Sequence, residues 1–140
     1  MILPFKTYLS DGKVERQSRN MEQAKSFLAR ADRRVLYVEL QAINDENAEF
    51  VYEDIYEAIR EGAQALMAKE GYKPLSHEAT IAFLHDEIKV DAAITETFDS
   101  YRKLRNKVVY EAAKISTERV AESLIFAKEF IRMIKSLLAR

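Results

Sequence analysis

Residues that interrupt helices are scarce in this chain. Its 140 residues include only three glycines and two prolines, whereas alanine, glutamate, lysine, arginine and leucine are abundant. These five are among the residues that most favour a helix, so the composition predicts an all-α protein with short connections. The length is that of one domain, large enough to bury a core of its own.

Apolar residues recur at steps of three and four along most of the chain, which predicts five amphipathic helices. The second helix, from about Ala48 to Glu70, is apolar over more than one stripe, so we expect it to be central, with Gly62 admitting a close neighbour. Residues suited to cap a helix precede the other four: Asn20, Ser76, Asp91 and Ser116. Helices joined by short loops predict an up-and-down bundle of four to five helices.

The N-terminal segment differs from this pattern. Residues 1–12 are too apolar for a free tail, and they end in the turn signal Ser10-Asp11-Gly12. We therefore expect residues 1–19 to form a short helix or an extended arm docked on a bundle of residues 20–140.

Charge and composition exclude several functions. The net charge is −1, so tight non-specific nucleic-acid binding would need a local basic patch. The chain has no cysteine, which excludes thiol catalysis and cysteine-ligated zinc. No apolar run approaches the roughly 20 residues that span a bilayer, and the first five residues are too short an apolar run for a signal peptide. We expect a soluble cytoplasmic protein without a membrane contact.

Arg105 lies in the only strongly basic stretch, which also contains Arg102, Lys103 and Lys107. At about 100° per residue, Arg105 falls inside an apolar arc with neighbours on both sides: Ile94, Phe98, Val109 and Ala112. A guanidinium among hydrophobic residues is costly unless it meets a carboxylate, a phosphate or several carbonyls. The sequence therefore predicts a polar partner for Arg105 at a packed interface or in a cleft.

Both histidines fall on the third predicted helix. His77 and His85 are eight residues apart, which separates them by about two helical turns, too far for one metal ion. No acidic cluster completes a ligand set, and no glycine-rich phosphate loop is present. We expect no metal or cofactor, with His77 at the helix cap and His85 at the surface.

Two blocks of the sequence resemble HEPN domains. The segment from Gly71 to Leu84, which follows a helix containing residues 52–60, is similar to the middle of these domains, and Arg105-Asn106-Lys107-Val108-Val109-Tyr110 is similar to their functional motif. The resemblance covers the chain from about Asn20 onwards. It implies a helical bundle that forms a homodimer, with the motifs of both subunits facing one cleft. It also implies an association with a minimal nucleotidyltransferase, or metal-independent ribonuclease activity.

The motif of this family pairs an arginine with a histidine four to six positions later. Arg105 matches the arginine and Asn106 the polar residue that often follows it, but Tyr110 stands where histidine is expected. Histidine accepts a proton near neutral pH with a pKa of about 6.5, whereas that of tyrosine is about 10. The resemblance thus implies a nucleotide- or RNA-associated binding module without efficient ribonuclease activity, with Arg102 and Lys107 as further ligand-binding residues.

Two other functions remain open. One is a weak metal-independent ribonuclease in which Arg105 stabilises the negative charge of the phosphorane, Asn106 orients it, and Tyr110 or His85 moves protons. The other is a helical protein-interaction module. In that case the basic stretch forms structural ion pairs, Asp99 with Arg102 or Lys103 and Lys107 with Glu111.

Overall fold

The computed structural model describes residues 1–140 and confirms an all-α helical bundle. It contains six helices: α1 (Phe5–Ser10), α2 (Met21–Glu39), α3 (Ala48–Glu70), α4 (His77–Asp86), α5 (Ala92–Tyr110) and α6 (Thr117–Leu138). Two short strands, β1 (Val14–Arg16) and β2 (Tyr72–Pro74), complete the fold. Helices α2 to α6 are the five predicted from periodicity. No helix of the chain is both long enough and apolar enough to cross a bilayer.

Helix α3 is the centre of the bundle, as its wide apolar surface predicts. It packs against α2, α4, α5 and α6, and most of its residues are buried. Tyr52 and Tyr56 are among the largest fully buried side chains of the protein. A Cβ at Gly62 would lie 3.6 Å from side-chain atoms of Ile134 and Phe130, an ordinary contact. The approach of α6 therefore does not require a glycine here.

Polar side chains cap the N-termini of four helices, as the sequence predicts. The side-chain oxygens of Asn20, Ser76, Asp91 and Ser116 each accept a hydrogen bond from a backbone N–H in the first turn that follows. Helix α3 ends at Gly71, whose φ of +90° is a conformation that glycine adopts without strain. These capping interactions set the residues at which α2, α4, α5 and α6 begin and the residue at which α3 ends.

The two strands were not predicted, because three residues are too few to show a periodicity. Strand β1 pairs antiparallel with β2, with Glu15 opposite Lys73. Next to this pair, the ring of Phe5 on α1 packs edge-on against Tyr72 and Phe83. Residues of the N-terminal segment therefore share the main hydrophobic core.

Helix α5 ends earlier than the apolar pattern indicates. Its last helical residue is Tyr110, and Ala112 lies beyond it with a φ of +52°. Ala112 is exposed and Val109 is 36% exposed, so neither contributes to a buried arc. The prediction of an apolar arc that encloses Arg105 is wrong in this part, because Val109 faces solvent from the last turn of α5 and the helix has ended before Ala112.

Candidate functional site

Three helices bring aromatic and basic side chains together beside the start of α4. Tyr56 projects from the central helix α3, His77 is the first residue of α4, and Arg105 lies in the second half of α5. Ser76 fixes the first turn of α4 through its bond from the Ala79 N–H, which holds His77 against α3. The site is thus built on helices packed around one buried tyrosine.

Tyr56 holds the imidazole of His77. The hydroxyl oxygen of Tyr56 and Nδ1 of His77 are 2.7 Å apart, and the two ring planes are inclined by only 9°. His77 Nε2 makes no hydrogen bond to the protein, and His77 is only partly buried. Together with Arg60 it lines a surface cleft of about 200 Å³. One ring nitrogen is therefore oriented by the protein while the other is left unpaired.

Arg105 lies against two tyrosine rings. Its Cζ is 5.9 Å from the ring centroid of Tyr56 and 5.3 Å from that of Tyr110, and its Nη1 donates a hydrogen bond of 3.2 Å to the Tyr110 hydroxyl. Guanidinium groups at such distances are attracted by the electrons of the ring face. The polar partner predicted for Arg105 is thus a phenol of its own helix, and no carboxylate lies within 4.0 Å of it.

This lack of a carboxylate distinguishes Arg105 from comparable arginines. The chain has four arginines that are partly buried rather than exposed: Arg34, Arg60, Arg102 and Arg105. The first three form salt bridges with Asp54 and Glu61, with Glu57, and with Asp99, respectively. Because taking a charge partly out of water is costly without a counter-charge, Arg105 is the arginine best prepared to receive an external anion.

The positive charges act on the titration of His77. Burial lowers the pKa of His77 below its ordinary value of 6.5, and the charges of Arg105 and Arg60 lower it further, against an opposing effect of Glu57. Burial also raises the pKa of the Tyr56 hydroxyl, although the nearby arginines oppose this shift. At neutral pH the imidazole is therefore neutral and the phenol is protonated.

Two of the predicted ligand-binding residues are placed differently from Arg105. Arg102 is mostly buried, and it is bound to Asp99 at 2.7 Å and to Glu78 at 3.8 Å. Lys107 is exposed and forms no ion pair, so its predicted pairing with Glu111 does not occur. The alternative pairing of Asp99 does occur, with Arg102 and also with Lys103 at 3.5 Å.

The predicted motif residues are only partly brought together. Arg105 and Tyr110 are in contact, and Tyr110 remains 72% exposed. Asn106 is partly buried, and its side chain makes no hydrogen bond within the chain. The motif therefore offers one aromatic surface, one amide and one guanidinium to a ligand.

His77 is the residue that sequence reasoning missed. Its position at the cap of α4 is as predicted, but no spacing rule connects it to Tyr56, which lies 21 residues earlier. The other histidine, His85, is bound to Asp86 at 2.8 Å and lines a separate cleft together with Ile2. No hydrogen bond or ion pair joins His85 to Arg105.

Comparison of this chain with protein-family models and with curated proteins gives no match. No protein-family model matches it, and no curated protein shows significant sequence similarity to it. The HEPN resemblance therefore stays a prediction.

No group of three or more histidine, aspartate or glutamate side chains is placed to hold a metal ion.

Proposed function

We propose that this chain is a HEPN-like module that binds the phosphate of RNA or of a nucleotide at Arg105. The observation that carries the proposal is the state of that arginine, the only partly buried one without a carboxylate. A guanidinium presents paired N–H donors that match two oxygens of a phosphate. A bound phosphate would supply the counter-charge that the chain itself does not.

The surroundings of Arg105 suit a nucleic acid better than a simple inorganic anion. Tyr110 exposes most of its ring next to the guanidinium, where a nucleobase could stack on it. Asn106 precedes this ring by one helical turn and has an unpaired amide. Stacking and one strong phosphate contact are the interactions that single-stranded RNA offers, and they need no basic field over the whole protein.

The resemblance to HEPN domains adds two partners to this proposal. One is a second copy of the chain, packed on the face of α5 that ends in Val109 and Tyr110, both of which remain exposed here. In that dimer the arginines of both copies would line one crevice. The other is a separately encoded minimal nucleotidyltransferase, which would co-purify with the chain.

Binding of a labelled single-stranded RNA of mixed sequence, measured by fluorescence anisotropy in excess chelator, tests the proposal. We expect Arg105→Ala to weaken binding by about tenfold or more, since hydrogen bonds between charged groups contribute about 1.5–3 kcal/mol. The dependence of log affinity on log salt should become shallower by about one phosphate contact. Competition by adenosine monophosphate would show that a nucleotide suffices.

Arg16 provides a matched control for this experiment. Its Cζ lies 5.6 Å from the ring centroid of Tyr72 and its Nη1 donates to the hydroxyl of that tyrosine, so it repeats the Arg105–Tyr110 arrangement on strand β1. Arg16→Ala removes the same charge and should leave RNA affinity nearly unchanged. Equal losses in Arg105→Ala and Arg16→Ala, or no RNA binding by the wild-type chain, would refute the proposal.

Sedimentation equilibrium tests the homodimer separately. The wild-type chain should sediment as a dimer, and Val109→Glu should sediment as a monomer because it places a charge in the contact. A wild-type monomer at high concentration would remove the second copy from the proposal and leave the Arg105 site itself in place.

A further inference from the structure

We infer that the end of the bundle where α2 leads into α3 carries an interaction surface for a basic amphipathic helix of a partner protein. The surface consists of three exposed apolar side chains, Tyr37, Leu40 and Phe50, with unpaired carboxylates beside them. The apolar side chains indicate a docking surface, and the carboxylates indicate the charge of its partner. The inference goes beyond the proposed function and does not depend on phosphate binding at Arg105.

The three apolar side chains are largely open to solvent. Leu40 is 84% exposed, Phe50 is 67% exposed and Tyr37 is 57% exposed. Leu40 caps the C-terminus of α2 three residues after Tyr37, so the two side chains leave the helix at directions about 60° apart. Single exposed apolar residues are common on protein surfaces, whereas a group of them bordered by polar residues marks an interaction site.

An ion pair between α2 and α3 shows that Phe50 belongs to the same group. Nη1 of Arg34 on α2 lies 3.1 Å from Oδ1 of Asp54 on α3. Tyr37 follows Arg34 by three residues on α2. Phe50 precedes Asp54 by four residues on α3, which runs antiparallel to α2. Both rings therefore lie about one helical turn from this ion pair, in the direction of the α2–α3 connection.

The surface faces away from α5 and therefore from the Arg105 site. Tyr52 lies two residues after Phe50, on the opposite side of α3. There its hydroxyl donates a hydrogen bond of 2.7 Å to the Tyr101 carbonyl of α5. A partner on Phe50 would thus leave the face of α5 that carries Arg105 open.

The chain around this surface is acidic. Residues 35–59 include no lysine or arginine, but they include seven carboxylates: Glu39, Asp45, Glu46, Glu49, Glu53, Asp54 and Glu57. Glu39, Asp54 and Glu57 form ion pairs with cations outside this stretch. The other four form no ion pair. Two of them, Glu49 and Glu53, lie just before and one turn after Phe50 on α3, so a partner that covers this ring meets both.

The surface ends on the side of α6, where the charge changes sign. Leu36 is also exposed, but it lines a cleft together with the cations of Arg132 and Lys135. Lys128 of the same helix is paired with Glu39 at 2.9 Å. A basic partner is therefore favoured on the α3 side of Leu40 and disfavoured on the α6 side.

Charge also decides which occupant suits the surface. A second copy packed about a two-fold axis would bring its own unpaired carboxylates against these, and like charges in contact oppose binding. The same repulsion acts against nucleic acids and anionic lipids. A helix with lysine or arginine beside an apolar stripe satisfies both features of the surface. Its stripe would cover Tyr37, Leu40 and Phe50 while its cations pair with the carboxylates.

Binding of labelled synthetic peptides to the full chain, measured by fluorescence anisotropy, tests the inference. The first probe is a helix of leucine and lysine with its leucines on one face. The second carries glutamate in place of lysine, and the third is an all-lysine peptide of the same length. We expect the leucine–lysine helix to bind at least about tenfold more tightly than the other two, because it alone matches both the apolar group and the charge.

Two variants separate the apolar contribution from the charge contribution. Phe50→Ser should weaken binding of the leucine–lysine helix by about tenfold, because it removes an apolar ring that the peptide covers. Glu49→Gln combined with Glu53→Gln should weaken binding by about threefold and make it less sensitive to salt. All three positions lie on the surface of α3, and thermal unfolding of each variant checks that the fold is kept.

Matched controls make the same chemical changes elsewhere. Leu75→Ser removes another exposed apolar side chain, and Glu87→Gln combined with Glu96→Gln removes two other exposed carboxylates without an ion pair. Both controls should bind the leucine–lysine helix like the wild-type chain. Equal binding of all three peptides, no binding of the leucine–lysine helix, or equal losses in Phe50→Ser and Leu75→Ser would overturn the inference.

Two further results would assign the surface to another occupant and so also overturn the inference. One is self-association in sedimentation equilibrium that Phe50→Ser abolishes and Val109→Glu does not, which indicates a second copy. The other is binding to phosphatidylcholine vesicles that Phe50→Ser abolishes, which indicates a lipid surface. RNA binding at Arg105 should be unchanged in Phe50→Ser, so this inference and the proposed function fail or hold separately.

Discussion

The Tyr56 hydroxyl and the His77 imidazole are joined by a hydrogen bond of 2.7 Å, which connects the most buried helix of the bundle to the first residue of α4. Tyr56 is 1% exposed, so its hydroxyl is held in place by the core, whereas His77 reaches the surface. A group fixed by packing thereby orients a group that meets solvent. The predictions that concern the site follow from this relationship.

The first prediction concerns the charge that Arg105 exerts on His77. Arg105→Ala should raise the pKa of His77, because it removes the cation that contributes most to lowering it. The pKa is measured from the pH dependence of the His77 ring proton signals in NMR spectra. Lys107→Ala removes an exposed cation two residues further along α5 and should leave the His77 titration unchanged. A pKa that stays constant in Arg105→Ala would show that Arg105 does not act on the imidazole.

The second prediction concerns stability and pH. The pKa of folded His77 lies below 6.5, so near that pH the unfolded chain binds more protons than the folded chain. The free energy of unfolding should therefore fall as the pH is lowered through 6.5, and the loss should be complete below the folded pKa. Urea unfolding over this pH range should show the decrease in the wild-type chain.

His77→Gln is the control for this pH dependence, because it has no titrating ring and its stability should change much less over the same range. Two carboxyl groups, those of Glu57 and Asp86, also have a lowered pKa. Their ordinary pKa values are 4.5 and 3.8, so their protonation changes the stability only at lower pH. An equal decrease in the wild-type chain and in His77→Gln would contradict the prediction.

Much of this fold could be predicted from the sequence because the relevant signals are local. The cap residues Asn20, Ser76, Asp91 and Ser116 each act within three positions, and the wide apolar surface of α3 is visible in its own residues. The two strands could not be predicted, since a three-residue ladder between residues 14–16 and 72–74 depends on how the helices bring them together.

The candidate site was only partly accessible to the same reasoning. The sequence indicated Arg105 because a cation among apolar positions needs a polar partner. The resemblance to a motif on one helix then placed Tyr110 beside it. His77 belongs to the site only through Tyr56, a contact between residues of two helices. The early end of α5 was also missed, because the apolar spacing continues to Ala112 while the backbone turns at that residue with a φ of +52°.

The third prediction compares two glycines, Gly71 and Gly62, at which an added methyl group should have opposite effects on stability. Gly71→Ala should destabilise the fold by about 2 kcal/mol or more, because a Cβ there would lie 2.8 Å from the Gln17 backbone oxygen at a φ of +90°. Gly62→Ala should instead stabilise it by up to about 1 kcal/mol, the helix preference of alanine over glycine. Thermal and urea unfolding of both variants measure the effect, and a destabilised Gly62→Ala would mean that α6 packs too closely for a methyl group.

The fourth prediction concerns the only buried carboxylate. Glu61 is 1% exposed and is bound to Arg34 at 2.8 Å and to Arg30 at 3.5 Å. Arg34→Ala should lower the free energy of unfolding by roughly 3 kcal/mol, because it leaves most of this charge uncompensated. Arg30 is 59% exposed, so Arg30→Ala is the matched control and should cost less than about 1 kcal/mol.

The double variant Arg34→Met with Glu61→Leu tells whether the charge pair itself stabilises the bundle. Replacing a buried pair by apolar residues of similar size is often neutral or stabilising, because two charges no longer have to leave water. We therefore expect the double variant to be close to the wild-type chain in urea unfolding and far more stable than Arg34→Ala. A double variant as unstable as Arg34→Ala would mean that the pair between α2 and α3 contributes more than its desolvation costs.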